Sequence, residues 1–270
     1  MIGDITIGQY FPGKSVVHRL DPRMKIILTM MVIVTLFLSK NFISLAFAVL
    51  FSVIIVLVSQ IPVKTVLKSL KPLTLIIVLT ALLNLLYGSG EPLVTIGSFV
   101  IKKDGVYSAI FMAVRIIVLI VEGSMLTYTT SPTDLTDAIE RLLKPLKYIK
   151  IDVHSIAMIM TIALRFIPTL IEEIEKITAA QKSRGADMES GNLIKRAKAL
   201  VPVIIPLFVS SFRAAFDLAY AMECRCYRGG EGRTKMKVLK MQARDYLALA
   251  VIAAFIALVL FFNTLTAAVI

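Results

Sequence analysis

Residues 42–59 read FISLAFAVLFSVIIVLVS, eighteen apolar or small side chains in succession without a single charge. Such a run is typical of a helix that crosses a membrane, because the hydrocarbon core accepts apolar side chains and a backbone whose hydrogen bonds are all internal. Four more apolar runs lie at residues 26–38, 72–87, 106–128 and 246–262. We therefore predict five transmembrane helices, the first of which is shorter than the roughly 20 residues that a span usually needs.

The composition also indicates a membrane protein. Of the 270 residues, 57% are hydrophobic, whereas soluble domains average about 45–50% even when glycine is counted. The mean hydropathy is +0.83. This excludes a soluble domain, a disordered chain and a disulfide scaffold. The net charge is nevertheless +12, so the charges must be segregated from the apolar segments.

Most of the charge lies in residues 129–245, which hold 19 of the 30 Lys and Arg residues and 13 of the 18 Asp and Glu residues. Basic residues also cluster at the N-terminus and in a link at residues 61–71. Because cytoplasmic loops carry an excess of Lys and Arg, we expect these three segments in the cytoplasm and the C-terminus outside. The predicted parts are an N-terminal segment with four spans (1–128), a cytoplasmic domain (129–245) and a C-terminal span (246–270). A short hairpin is expected around residues 94–102.

The cytoplasmic domain is predicted to consist of three amphipathic helices. Residues 131–149 carry one apolar stripe with helical spacing. A second helix at residues 153–182 is expected to bend at Pro168, and a third at residues 192–223 is expected to be interrupted at its two internal prolines. The first stripe consists of Leu135, Ala138, Ile139, Leu142, Leu143, Leu146 and Ile149, and the second helix has Ile167, Leu170, Ile171, Ile174 and Ile177 on one face.

Two of these predicted helices end alike, with an arginine between small residues. Residues 179–185 read AAQKSRG and residues 220–226 read YAMECRC. An arginine at a helix C-terminus is favoured by the helix dipole, and Gly185 is an ordinary cap, so one such end would carry no information. Two matching ends favour a second interpretation, in which Arg184 and Arg225 both enter acidic grooves on a partner. A guanidinium suits such a groove because it pairs with carboxylates through two hydrogen bonds.

Three other patterns are interpreted as structural. Residues 8–15, GQYFPGKS, fit the letters of a phosphate-binding loop, but bulky side chains crowd the loop and a proline soon after breaks any following helix. Arg115 and Glu122 lie on one face of the fourth predicted span, which favours a packed polar pair in the bundle over a transport pathway. Cys224 and Cys226 diverge on a helix and lack further metal ligands. No catalytic, metal, cofactor or nucleic-acid site is predicted.

Taken together, several stretches resemble the transmembrane subunit of energy-coupling factor transporters, the EcfT/CbiQ family of ABC-type importers. The similarity runs nearly end to end and is carried by GQYFPGKS at 8–15, HRLDPRMK at 18–25, TTSPTDL at 129–135, LRFIP at 164–168, SRG at 183–185, AMECRCY at 221–227 and GGEGRT at 229–234. The positions of structural motifs in this resemblance are Asp21, Pro22, Arg23, Pro132, Arg165 and Pro168. The resemblance implies an all-α polytopic membrane protein whose spans and three coupling helices form an L-shaped arrangement.

The resemblance also implies partners. In that family two Ala-Arg-Gly-like motifs each dock into a groove of one of two ATPase subunits, a homo- or heterodimer that itself binds ATP and Mg²⁺. Carried over residue by residue, the docking residues are Ser183, Arg184, Gly185, Cys224, Arg225 and Cys226. The serine and the two cysteines depart from the Ala-Arg-Gly pattern, whereas both arginines match it. The other partner is one membrane S-component that captures a vitamin or metal ion. Its expected contacts are Leu135, Ile139, Leu142, Leu143, Leu146, Ile167, Leu170 and Ile171.

The function implied by the resemblance is that of a non-catalytic scaffold in the lipid bilayer of the cell, which transmits ATP-driven motion to the S-component. A stand-alone carrier or channel is the alternative, and it predicts inverted repeats or helices broken near the midplane. A polytopic membrane enzyme would need acids or histidines within the spans, which offer essentially Glu122 alone.

Overall fold

The computed structural model describes residues 10–87, 92–96, 99–150, 152–186, 192–229 and 239–265. These residues form two compact units. The bundle unit contains the described residues from 10 to 138 together with 239–265, and the two-helix unit contains those from 139 to 229. The predicted division into 1–128, 129–245 and 246–270 was based on membrane topology and stays a prediction.

The described residues form nine α-helices and one antiparallel β-hairpin. The helices are α1 (Pro22–Leu38), α2 (Phe42–Ser59), α3 (Val63–Leu70), α4 (Thr74–Tyr87), α5 (Lys103–Thr129), α6 (Pro132–Leu143), α7 (Val153–Ser183), α8 (Leu193–Cys224) and α9 (Ala243–Leu265). The strands are β1 (Pro92–Ile96) and β2 (Phe99–Lys102). The predicted all-α polytopic fold and the predicted hairpin are both confirmed.

Helix α1 packs against α5 and α9 in the bundle unit. Its residues Leu28, Val32 and Leu36 recur every four positions and are buried, so they form one stripe against the neighbouring helices. The cluster around them is completed by Met24 of α1, Ala48 of α2, Val118 of α5 and Ile252, Phe255 and Val259 of α9. With 17 residues, α1 is about 26 Å long at 1.5 Å per residue. The expected short first helix is therefore confirmed, and its crossing of the membrane stays a prediction.

The basic link before the third span is largely helical. Helix α3 occupies most of it and continues through a 3₁₀ turn at Lys71–Leu73 into α4. Ile61 and Val66 are buried in one cluster with Met125 and Tyr128 of α5. This apolar contact holds the segment against the bundle, while the lysines of α3 point to the surface.

Six segments of the described chain are long and apolar enough to cross a membrane. They are α2, the continuous α3–α4 segment, α5, α7, α8 and α9. Helix α1 is not among them because of its length. Helices α7 and α8 meet this test, whereas the charge pattern of the sequence predicts a cytoplasmic position for both.

The prediction that prolines interrupt α8 is wrong. The helix is continuous from Leu193 to Cys224 with Pro202 and Pro206 inside it. A proline has no N–H to bond the carbonyl four residues earlier, so Pro206 leaves the carbonyl of Pro202 without its helical donor. The side-chain amide Nε2 of Gln181 in α7 donates to this carbonyl at 3.4 Å. A neighbouring helix thus supplies the donor that the sequence rule treats as missing. Helix α7 also continues through Pro168, and the bend expected there stays a prediction.

Candidate functional site

Helix α7 ends in a Schellman motif centred on Arg184. The N–H of Gly185 donates to the carbonyl of Lys182 at 3.0 Å, and the N–H of Ala186 donates to the carbonyl of Gln181 at 3.0 Å. Gly185 has φ of +88°, the left-handed conformation that this motif requires after the last helical residue. The chain therefore turns sharply away from the helix directly after Arg184.

Helix α8 ends with the same hydrogen-bond pattern around Arg225. The N–H of Cys226 donates to the carbonyl of Glu223 at 2.8 Å, and the N–H of Tyr227 donates to the carbonyl of Met222 at 3.0 Å. Cys226 has φ of +56° and occupies the position that glycine holds in α7. The similarity seen in the sequence thus extends to the backbone, although one of the two caps uses a residue that tolerates this conformation poorly.

Both helix ends are open to solvent in this chain. Arg184 and Arg225 are exposed, and so are the small residues beside them, Ser183, Gly185, Cys224 and Cys226. Among the described residues neither guanidinium forms an ion pair. Each helix end therefore presents a free arginine flanked by small side chains, which let another protein backbone approach closely.

The two arginines lie at opposite ends of an antiparallel helix pair. Near one end, Gln181 of α7 bonds to α8 as described above. Further along, the hydroxyl of Ser210 donates to Oε1 of Glu173 at 3.2 Å, and beyond the end of α8 the hydroxyl of Tyr227 donates to Sδ of Met158 at 2.8 Å. Helices α7 and α8 have 31 and 32 residues, which corresponds to about 45 Å each. The geometry separates the two arginines by roughly one helix length.

Helix α8 carries an exposed apolar face that the sequence analysis did not select. It consists of Ile204, Ile205, Phe208, Val209, Phe212, Phe216 and Tyr220. The rings of Phe208 and Phe212 are 5.6 Å apart. The signal that could have found this face is the nearly continuous apolar composition of the upstream half of α8. Such a helix has more apolar side chains than one core-facing stripe can bury, so the remainder form an exposed apolar face.

The residues expected to contact an S-component are less accessible than this face. Those whose side chains are described are half-buried, namely Leu135, Ile139, Leu142, Leu143, Ile167, Leu170 and Ile171. The side chain of Leu146 lies outside the described part of the chain. Their role stays a prediction.

The motif positions of the N-terminal segment have clear structural roles. Asp21 caps the N-terminus of α1 by accepting the N–H of Arg23 at 2.9 Å, and Pro22 is the first residue of that helix. The guanidinium of Arg23 pairs with the Asp21 carboxylate, with Nη2 at 2.9 Å from Oδ2.

The other motif positions lie in later helices. Pro132 is the first residue of α6. In α7, Arg165 and Pro168 are exposed. Of the motif GGEGRT, residues 230–234 lie outside the described part.

The two charged residues of the fourth predicted span do not pair with each other. Arg115 donates through Nη2 to the carbonyl of Ser39 at the end of α1, and Glu122 accepts from the hydroxyl of Ser52 in α2 at 2.5 Å. Both are buried. Seven residues separate them by about 10 Å along the helix. The interpretation as polar residues packed in the bundle holds, but each residue has its own partner on a different helix.

The segment resembling a phosphate-binding loop is folded onto a histidine. The His18 ring lies between Ser15 Oγ, 2.7 Å from Nδ1, and the carbonyl of Phe11, 2.9 Å from Nε2. Burial lowers the pKa of His18. The residues after Ser15 form turns and not a helix, so the context that a nucleotide site needs is missing from residues 10–20. Among the described residues, no group of three or more His, Cys, Asp or Glu is placed to hold a metal ion.

Comparisons with known proteins show the family of the chain. A model of the family described as "Cobalt transport protein", CbiQ, matches residues 13–236. The energy-coupling factor transporter transmembrane protein EcfT of Clostridium kluyveri is 52% identical over 250 residues, 92% of this chain and 93% of the relative. The protein of the same name from Ruminiclostridium cellulolyticum is 53% identical over 255 residues, with 94% and 96% covered. That of Bacillus subtilis is 44% identical over 246 residues, with 91% and 93% covered.

Proposed function

The chain belongs to the CbiQ/EcfT family and is the transmembrane component of an energy-coupling factor transporter in the cell membrane, and from this premise we propose that it couples two ATPase subunits to an S-component. In this proposal the chain neither hydrolyses ATP nor selects the substrate. ATP and Mg²⁺ are bound by the ATPases, and the vitamin or metal ion is bound by the S-component.

The observation that carries the proposal is the pair of equivalent helix ends. Arg184 and Arg225 sit in the same backbone motif, are exposed, and lie at opposite ends of one antiparallel pair. Two equivalent sites about 40 Å apart suit two equivalent subunits of a dimer better than one binding site. A guanidinium at each end fits an acidic groove, since it forms two parallel hydrogen bonds with a carboxylate.

The mechanism follows from this arrangement. When ATP binding closes the ATPase dimer, the two grooves move and carry the arginine-tipped ends of α7 and α8 with them. The helices are long, continuous and joined by side-chain contacts, so displacement of their ends changes the tilt of the pair. The exposed apolar face of α8 and the stripe of α6 then shift against the S-component.

Charge supports a cytoplasmic position for α7 and α8. Each contains six residues of the types Asp, Glu, Lys and Arg, whereas α2 contains none and the longer α5 contains four. A charged residue near the middle of a transmembrane helix costs about 2.5–3.5 kcal/mol on insertion scales, so both helices are poor spans despite their apolar stretches. With α1, α2, α4, α5 and α9 as the five spans, the N-terminus and the two-helix unit are cytoplasmic and the C-terminus is outside.

Co-purification in detergent with a candidate ATPase pair tests the proposal. The double variant Arg184→Glu/Arg225→Glu should lose both ATPases, because each carboxylate would face an acidic groove. The double variant Lys198→Glu/Arg213→Glu makes the same change of net charge at exposed positions within α8 and should retain both ATPases. Capture of no ATPase by the wild-type chain would refute the proposal and favour the stand-alone carrier.

The native cysteines provide a second readout of docking. Cys224 and Cys226 are the two cysteines of the chain, and both are exposed on either side of Arg225. Bound ATPase should therefore slow their reaction with a maleimide. In a cysteine-free background, Ser183→Cys should report the α7 end in the same way. Equal labelling rates with and without bound ATPases would place the interface elsewhere.

A further inference from the structure

The first turn of α1 contacts both segments through which the bundle unit connects to the rest of the chain. The chain leaves the bundle unit within α6, after residue 138, and α6 follows the end of α5 through a short turn; the chain returns to the unit before α9. Polar contacts at these two points involve Asp21, Arg23, Lys25 and Asp245. We refer to these four residues as the clasp.

On the outgoing side, Lys25 holds the end of α5. Its ammonium donates to the carbonyl of Thr129 at 2.7 Å and to the carbonyl of His18 at 3.1 Å. Thr129 is the last residue of α5, where carbonyls lack donors from within the helix. A second contact adds to this one, because the N–H of Phe11 donates to the carbonyl of Tyr128 at 2.9 Å. The end of α5 is thus fixed to the segment before α1.

On the returning side, two residues of the clasp hold the start of α9. Asp245 accepts the N–H of Asp21 at 2.8 Å through Oδ1 and the N–H of Gln242 at 2.7 Å through Oδ2. The guanidinium of Arg23 donates to the carbonyl of Leu239 at 3.3 Å. Both contacts join the N-terminal segment to residues more than 200 positions away in the sequence.

Burying the charged side chains of the clasp costs free energy because they lose their hydration. Lys25 and Asp21 are each 6% exposed and Asp245 is 2% exposed. A buried charge is tolerated only when hydrogen bonds and opposite charges replace its lost hydration, and charge-assisted hydrogen bonds are the strongest available. Three such residues at the two connections, and none at the exposed arginine-tipped ends, indicate a requirement for rigidity at the connections.

We propose that the clasp anchors both connections to the bundle unit, so that motion of α7 and α8 is passed to the spans and not absorbed by bending at residues 129–132 and 239–242. This proposal rests on the proposed coupling function. The four residues are positioning residues: they contact neither ATP nor substrate, and their removal should separate ATP hydrolysis from uptake.

The test uses the complete transporter, with both ATPases and an S-component, in proteoliposomes. In Lys25→Met the bonds to the Thr129 and His18 carbonyls are lost while the apolar stem keeps its volume; Arg23→Gln removes the guanidinium at a less buried position. For both variants we expect assembly and ATP hydrolysis to stay near wild type. Substrate taken up per ATP hydrolysed should fall about fivefold, within the usual range for mutations that alter coupling. Arg19→Gln, at an exposed position outside the clasp, should behave as wild type.

Amide hydrogen exchange distinguishes a local loss of contacts from a general loss of folding. In Lys25→Met, exchange should increase at residues 128–130 and stay unchanged in the middle of α2. Three outcomes would refute the proposal for the clasp and leave the proposed function standing. They are an unchanged ratio of uptake to hydrolysis in an assembled complex, a parallel fall of both activities, and a loss of assembly. If the wild-type chain retains no ATPase, the proposed function is refuted, and the proposal for the clasp is refuted with it.

Discussion

Replacing Cys226 with glycine should stabilise the end of α8. The φ of +56° at Cys226 is a left-handed conformation that costs an L-residue about 1–2 kcal/mol, and glycine avoids this cost. Glycine loses more backbone freedom on ordering, which offsets about 0.5–1 kcal/mol of the gain. With the central values of both ranges, the net stabilisation is about 0.75 kcal/mol, and the last turn should open about two- to fivefold less often.

Amide hydrogen exchange at Tyr227 measures this change, because its N–H closes the motif by donating to the carbonyl of Met222. In Cys226→Gly, exchange at Tyr227 should slow by the same two- to fivefold after correction for intrinsic rates. The matched control is Gly185→Ala in α7, where φ is +88° and an added Cβ meets no atom within 4 Å. Only the backbone cost applies there, so exchange at Ala186 should accelerate. Unchanged or faster exchange in Cys226→Gly would refute the argument from backbone conformation.

Three further predictions concern the bundle unit. Ser52→Ala removes the hydroxyl that donates to Glu122 and should destabilise the unit by about 1–3 kcal/mol, seen as a lower melting temperature in detergent; an unchanged melt would contradict this. Gly13→Ala would place a Cβ 2.7 Å from Cε1 of His18, so the ring must move, and limited proteolysis before α1 should be faster than in wild type. Burial lowers the pKa of His18 below its ordinary value of 6.5; the folded segment therefore favours the neutral ring, and its stability should hold above about pH 6.5 and fall as the pH drops below it. Proteolysis across this range should show the dependence in wild type and lack it in His18→Gln.

The features that the sequence predicts well are those set by local chemistry. The length of the apolar run decides α2. The helix predicted over residues 131–149 is confirmed as α6 only up to Leu143, and it continues as a 3₁₀ turn over Lys144–Ile149, which contains Pro145. The two helix ends are also local, because the Schellman pattern around Arg184 and Arg225 involves residues at most five positions apart. The backbone match between the two helix ends therefore depends only on residues within or directly after the two short motifs.

The prolines of α8 show where local chemistry misleads. The rule that proline breaks a helix assumes that the freed carbonyl finds no donor. Here Gln181 provides a donor from α7 to the carbonyl that Pro206 leaves open. Because this donor belongs to another helix, no analysis of residues 192–223 in isolation could have found it.

Lys25 shows the same difficulty for charge. In the sequence it is one of the basic residues before the first span, and such residues are counted as cytoplasmic because they are assumed to face water. In the structure it is 6% exposed and bonded to the end of α5. A count of charges can predict on which side of the membrane a helix end lies, but it cannot distinguish a solvated lysine from one that holds two segments together. That distinction depends on a contact between residues 104 positions apart in the sequence. The role proposed for the clasp depends on such contacts and therefore could not be predicted from a count of charges.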